Sequence, residues 1–352
     1  MSADDPGRMI DWDLAVRVGS QLAGEGPGVS RDEAAATVAE LRSGAERSTP
    51  LVREFTGLVA QDRTAPVLVV DRPGWVQANA DGFKTVAAPL LERLQERKGP
   101  PSPMTQALGS RITGAELGAM LGFLGSKVLG QFDPFYEAEG AGGRLLLVAP
   151  NIVQVERELR VDPHDFRLWV CLHEETHRVQ FTAVPWMRKH LQELMGRIVD
   201  GVETDPAKML GDAVKRVADV VSGHSDASLL DLFSSAEQKV LIEETTGLMS
   251  LLEGHADVVM DGIGPEVIPS VMTIRDKFTQ RRQGLGTLDR LLRRLLGLEQ
   301  KMAQYRDGAA FVRGVIDKVG MDGFNAVWAA PANLPSKAEI HDPGSWVRRV
   351  HG

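Results

Sequence analysis

What this chain lacks narrows its class before any motif is read. It holds one cysteine, Cys171, in 352 residues, which excludes a disulfide framework and suits a reducing cytoplasm. Aromatic residues are only 5% of the sequence, and Tyr136 and Tyr305 are its two tyrosines. There is no excess of positive charge: the formal net charge of -8 argues against a general nucleic-acid binder, because phosphates are met by Lys and Arg. Long apolar runs are missing too. Leu117 to Leu129 is interrupted by Gly118, Gly122, Gly125 and Lys127, whereas a membrane span needs about 20 apolar residues. Its glycines instead predict a helix packed tightly against another. The start, Met1-Ser2-Ala3-Asp4-Asp5-Pro6, lacks the basic-then-apolar pattern of a signal peptide. The expectation is a cytoplasmic protein with neither nucleic acid nor membrane as partner; nothing in the pattern sets an oligomeric state.

A hydrophobic content of 43% supports a substantial core at this length. Its pattern is mainly helical. Asp11 to Gly24, Arg31 to Glu46 and Leu51 to Leu58 are apolar at helical spacing, and Gly82 to Lys98 follows a turn at Pro73-Gly74. Gly99-Pro100-Pro101-Ser102-Pro103 reads as a linker. It divides a helical N-terminal region, 1–100, which packs on the core, from a catalytic part, 101–352. Arg144 to Ala149 is a short apolar run closed by Pro150-Asn151, best read as a strand. Ser222 to Ser235 reads as a loop, and Gly262-Ile263-Gly264-Pro265 as a break before further helices near 270–282, 288–304, 307–319 and 321–330. The fold class expected is mainly α with a small β-sheet (α+β).

The chemistry sits in His173-Glu174-Glu175-Thr176-His177, an HExxH pattern. On a helix, residues four apart differ by about 40° of rotation and one turn of rise, so both imidazoles leave one face and can grip one metal ion. Glu174 stands where this motif places the carboxylate that takes a proton from metal-bound water. Asp162 or Asp165 can cap the helix, and Pro163 is tolerated in its first turn. Phe166, Leu168, Trp169, Val170 and Leu172 surround it with apolar groups, so it is expected to be buried and rigid. Cys171 should point away from the metal as an inert buried thiol. The strand at 144–149, if beside this helix, either pairs with an extended peptide by edge addition or is a core strand.

A catalytic zinc takes three protein ligands and keeps one open position. The third candidate is Glu253 in Leu251-Leu252-Glu253-Gly254-His255-Ala256-Asp257, with Asp257 four residues on as an outer-shell acceptor for an imidazole N–H. Gly254 would let the two site helices approach, and Met249 and Met260 would fill the core around them. His255 is the alternative ligand. Tyr136 and Tyr305 are the candidates for stabilising an oxyanion, and Gln180 shares the ligand face, where it can bond an outer-shell group or simply sit half-buried. Arg275, Lys277, Arg281, Arg282, Arg290, Arg293 and Arg294 form a basic cluster, read as a solvated helix face before any anion site.

HExxH followed far downstream by ExxxD is similar to the gluzincin branch of zinc metallopeptidases. More closely, Gly130 to Phe135, Leu145 to Asn151, Phe166 to Pro185, Leu251 to Asp257 and Phe324 to Trp328 resemble the actinobacterial family called zincin-like metallopeptidase type 2. The resemblance covers roughly residues 105 to 350 and, with the helical N-terminal part, nearly the whole chain. Members are also labelled as associated with biosynthesis of a deazaflavin coenzyme, a label silent on reaction chemistry. The resemblance implies a zincin-like fold, Zn2+ held by His173, His177 and Glu253, and Glu174 as base. The expected function is a zinc-dependent hydrolase, a peptidase acting on a peptide or protein substrate. The alternatives are a non-catalytic interaction protein with a structural or vestigial metal site, and a small-amide hydrolase.

Overall fold

The computed structural model describes residues 9–59, 65–98, 103–137, 142–200, 236–283 and 298–352. The linker at 99–102, the loop at 222–235, Gly284-Leu285-Gly286 and Arg290, Arg293 and Arg294 lie outside the described residues. So does most of the helix expected at 288–304. The chain divides into two compact units, Met1–Pro185 with Val259–Phe278, and Trp186–Val258 with Thr279–Gly352.

In the first unit, α1 (Trp12–Ala23) starts at Asp11, whose carboxylate accepts from Leu14 N at 2.9 Å. Along it lies α4 (Pro103–Gly125). A methyl group at Gly118 would stand 2.5 Å from Ala15 O, and one at Gly122 would stand 2.7 Å from Gly19 O. The glycine spacing thus closes two helix backbones, as expected. α2 (Arg31–Thr56) runs unbroken through Pro50, where two separate helices were expected. Pro50 and Glu46, whose carbonyl loses its N–H partner, are both exposed, so water can satisfy that carbonyl. α3 (Arg72–Lys98) takes Pro73 and Gly74 into its first turn instead of a separate turn, because the Asp71 carboxylate accepts from Gly74 N at 2.7 Å.

Among the described residues the sheet has the order β1–β3–β2, with β1 (Val67–Val70), β2 (Gly130–Asp133) and β3 (Arg144–Val148). β1 is parallel to β3 and β2 antiparallel to it. β3 is thereby central, and Leu145 to Val148 are fully buried, as a strand covered on both faces must be. Both its edges are taken, so it cannot accept an added peptide. That possibility passes to the outer strand β2.

α5 (Ala149–Leu159) and α6 (Pro163–Ala183) follow the sheet. Asp162 is the cap of α6, accepting from Asp165 N at 3.0 Å. Two arginines fasten the back of α6. Arg167 makes a two-pronged contact with Glu156 at 2.6 and 2.9 Å and reaches Glu40 of α2 at 2.6 Å. Arg178 grips Glu175 at 2.6 and 2.7 Å and donates to Ala65 O at 2.8 Å. Such buried pairs hold orientation, since removing one partner strands a charge at a cost of about 3–5 kcal/mol. Cys171 faces α2 at Gly44 on the same side, and burial pushes its thiol far above the ordinary range, so it is unreactive. α9 (Val271–Gln283) carries Arg275, paired with Asp261, and Lys277, which donates to Arg160 O at 2.9 Å.

The second unit holds α7 (Met187–Asp200), most of α8 (Ala236–Val267), α10 (Leu298–Phe324), a 3₁₀ turn (Asn325–Trp328), α11 (Lys337–His341) and α12 (Pro343–His351). α8 does not break at 262–265 as expected. Gly262 serves packing, since a methyl there would meet the Phe55 ring at 2.1 Å, and Pro265 falls in the last turn, where little helix remains to disrupt. At Gly254 the helix meets α10: an added methyl would lie 2.2 Å from the Gly308 carbonyl carbon. The close approach that needs Gly254 is thus to α10. Met260 is core, but Met249 is exposed rather than buried. Among the described residues no helix is long and apolar enough to cross a membrane.

Candidate metal centre

α6 presents the two imidazoles of its HExxH motif one turn apart, with Trp169 one turn before them. Trp169 stacks on His173 with ring centroids 6.4 Å apart, and the His173 and His177 rings meet edge to face at 4.9 Å. Trp169 in turn packs edge-on against Phe278 of α9 at 5.0 Å. The first imidazole is thus wedged by aromatic surface. The second is held by a hydrogen bond: His177 Nδ1 lies 2.9 Å from Gln180 Oε1. An amide oxygen can only accept, so Nδ1 carries the proton and the lone pair is left on Nε2, the tautomer a metal requires. Gln180 is fully buried, which locks this arrangement. Of the two roles open to it, Gln180 takes the bonding one, and its partner is the His177 ring itself.

Glu174 is buried and turns toward the sheet. A methyl group on Gly130, the first residue of β2, would stand 2.6 Å from its Cγ, 2.7 Å from its Cδ and 3.0 Å from Oε1. The carboxylate therefore rests directly on the backbone of an outer strand. Further along, Phe132 of β2 stacks on Phe181 of α6 at 5.2 Å, which holds strand and helix in register. Among the described residues β2 pairs only with β3, and the carboxylate packs on the face that β2 turns toward α6.

One ligand atom each from His173, His177 and Glu253 lies within 4.8 Å of the others, and all three side chains are half-buried. This group could hold a metal ion. Two neutral imidazoles and a carboxylate are a donor set that zinc takes in catalytic sites with an open position, so the residues fit the metal. His255 is fully buried, its ring stacked on Phe324 and edge-on to Trp328, both at 5.4 Å. Asp257 is half-buried on α8, one turn from Glu253. Tyr136 lies beyond the far end of β2, with the Arg144 guanidinium 4.1 Å above its ring, and Arg144 is itself bound to Asp133 at 3.0 Å. Tyr305 falls within α10, and its side chain lies outside the described residues.

One residue of this site carried little signal in the sequence. Gly130 matters only because Glu174 reaches it across 44 positions of chain. β1 was legible in principle, as an apolar β-branched run between Pro66 and Asp71.

A family model described as zincin-like metallopeptidase matches residues 10–347. A crystal structure from Chloroflexus aurantiacus, described as "a putative hydrolase with a novel fold", is similar to the chain with a TM-score of 0.70 and 30% identity, covering 97% of this chain and 99% of that one. No curated protein matches.

Proposed function

The chain belongs to the zincin-like metallopeptidase family, and from that membership we propose a zinc-dependent hydrolase that cleaves peptide bonds, with His173, His177 and Glu253 as ligands and Glu174 as general base. The observation that carries this reading is the seat of Glu174 on Gly130, the first residue of the outer strand β2. A structural metal site needs no buried base on the helix of its ligands, and the strand on whose face that base packs pairs, among the described residues, along one edge only. An extended peptide can add to such an edge through its backbone, leaving its side chains to alternate on either face.

Zinc bound by this donor set supplies Lewis acidity, polarising a carbonyl oxygen and making water acidic near neutral pH. The chain's own groups do the rest. Glu174 takes the proton of the attacking water on its carboxylate and returns it to the departing amine. Gln180 keeps the His177 proton on Nδ1, so Nε2 is ready to ligate. The Trp169 ring and the Arg167 and Arg178 contacts hold α6 in place, so His173 and His177 are set on a fixed helix.

The test is a peptide library with the zinc-loaded protein and its Glu174→Gln variant. The amide is isosteric but cannot accept the proton, so the variant should keep zinc and fold while losing at least about a hundredfold in rate. Turnover at the parent rate by Glu174→Gln would remove Glu174 from the mechanism. Cleavage of small amides with every peptide left intact would replace the peptide substrate.

A further inference from the structure

α4 is short of charge: from Pro103 to Gly125 only Arg111 and Glu116 carry any. A helix that is apolar on every side is normally covered on every side. One side of α4 is covered, since Leu121 belongs to the core with Ala23, Trp75 and Val76, and Leu117 and Leu124 pack against it. The opposite side is open. There Leu108 is 63% exposed, Ile112 is 51% exposed and Ala119 is exposed, while Ala115 and Phe123 are half-buried. Steps of three and four keep these positions on one helix face.

α1 continues this face. Its Leu14, Val18 and Leu22 stand four apart on the side turned away from Trp12, Val16 and Ala23, which pack in the core, and Leu22 is 59% exposed. A methyl on Gly118 would lie 2.9 Å from Val18 Cβ, and one on Gly122 would lie 2.8 Å from Leu22 Cβ, so the stripe of α1 adjoins the glycine row of α4. The two helices run in the same direction, because Asp11, Ala15 and Gly19 meet Gly114, Gly118 and Gly122 in turn. Their outer sides make one apolar face roughly 20 Å long and 20 Å wide. Apolar side chains scattered singly need no partner, but a contiguous face of this size marks a binding surface.

We propose that a second copy of the chain docks on this face, about a two-fold axis running along the helices that lays α1 of each copy on α4 of the other. Charge selects both the partner and the axis. Arg17, three positions after Leu14, and Glu116, four after Ile112, are exposed ions beside the two stripes. A closed two-fold adds no shift along its axis, so the contacts between α1 and α4 fix the levels. Arg17 stands level with position 120, about one helical turn from Glu116 of the second copy and within the span of the two side chains. An axis across the helices would lay each helix on its own copy and bring like charges to the same flank. A membrane surface matches less well, because helices that lie on one carry Lys and Arg along their polar side. Two faces of this size make a small interface, which fits a dimer of micromolar affinity. The proposal does not depend on the zinc site or on peptide cleavage.

The experiment is sedimentation equilibrium of the full chain from about 1 to 500 μM, over which the parent should pass reversibly from monomer to dimer. Leu22→Glu with Ile112→Glu puts two charges on the exposed face and should leave a monomer at every concentration, melting close to the parent. Arg17→Glu and Glu116→Arg should each weaken the dimer about tenfold, since each change acts twice across the two-fold. Combined, they should restore the parent affinity, which lost folding cannot do, so the charge swap reads the face even if Leu22→Glu with Ile112→Glu misfolds. A parent that stays monomeric throughout, a dimer that survives Leu22→Glu with Ile112→Glu in a folded protein, or a charge-swapped chain that dimerises no better than the single variants would overturn the assignment. A monomeric parent that floats with anionic phospholipid vesicles would put a membrane in place of the second copy.

Discussion

Gly130→Ala is the substitution that most directly separates the proposed chemistry from the fold. The added methyl would sit 2.6 Å from Glu174 Cγ and 2.7 Å from its Cδ, whereas carbon atoms settle at about 3.5–4.0 Å. The carboxylate end must therefore retreat by about 1 Å. The clash falls on a flexible side chain and not on backbone, and Gly130 does not occupy the left-handed region. Relief by turning Glu174 off its preferred rotamer costs about 0.5–1.5 kcal/mol, so the protein should fold and melt close to the parent. Catalysis is less forgiving: a 1 Å misplacement of a reacting group can cost on the order of a hundredfold, about 2.7 kcal/mol of barrier. Steady-state kcat/KM on a cleaved peptide, read beside zinc content and thermal melting, is the assay. The expected result is full zinc, a nearly unchanged melt and a rate down by about two orders of magnitude. Because both changes act through one carboxylate, Gly130→Ala placed on Glu174→Gln should slow it no further. Parent-like kcat/KM in Gly130→Ala, or an undiminished further loss in the double variant, would refute the reasoning.

Three further outcomes are expected. The parent should carry about one zinc per chain by elemental analysis and the His173→Ala, His177→Ala double variant none; full zinc in that variant would remove the site. Within the same measurement, Glu253→Ala should weaken zinc strongly. His255→Ala should keep zinc and lose about 3 kcal/mol of unfolding free energy from the vacated space between Phe324 and Trp328; the reverse pattern would exchange their roles. Gln180→Leu should free the His177 tautomer and lower zinc affinity about ten- to a hundredfold in a chelator competition, and an unchanged affinity would deny Gln180 its role. On the back of α6, the Glu40 carboxylate accepts a hydrogen bond from His164 Nδ1 and so raises the imidazole pKa above its ordinary value. A raised folded value means that this contact stabilises the fold fully below the ordinary histidine pKa and is lost as pH rises through the folded one. An NMR titration should find His164 above its ordinary value in the parent and back near it in Glu40→Gln; the same midpoint in both would contradict the pairing.

The HExxH helix could be read from the chain alone because everything that makes it a helix is local. Asp162 caps a backbone N–H three residues on, Pro163 suits the first turn, and a spacing of four sets His173 and His177 on one side whatever surrounds them. The glycines of α4 were legible for a related reason, since their repeat already describes a face that another backbone can approach. Prolines misled, at Pro50 and Pro265, because whether a lost hydrogen bond ends a helix depends on solvent access and on what remains of the helix beyond it. The run at 144–148 was recognisable as a strand, but a central strand and an outer one have the same apolar signature; the pairing with β1 and β2 made it central. Gly254 and Gly262 were visible as glycines, yet only folding showed that one meets Gly308 and the other Phe55. The same is true of Gly130 under Glu174. Sequence by itself determined the HExxH helix and the chemistry it could hold, since hydrogen bonds and side-chain spacing along a helix are set by near neighbours. Tertiary structure alone decided which strand stands at the outside and what each glycine makes room for, because those partners come from distant parts of the chain and meet only when it has folded.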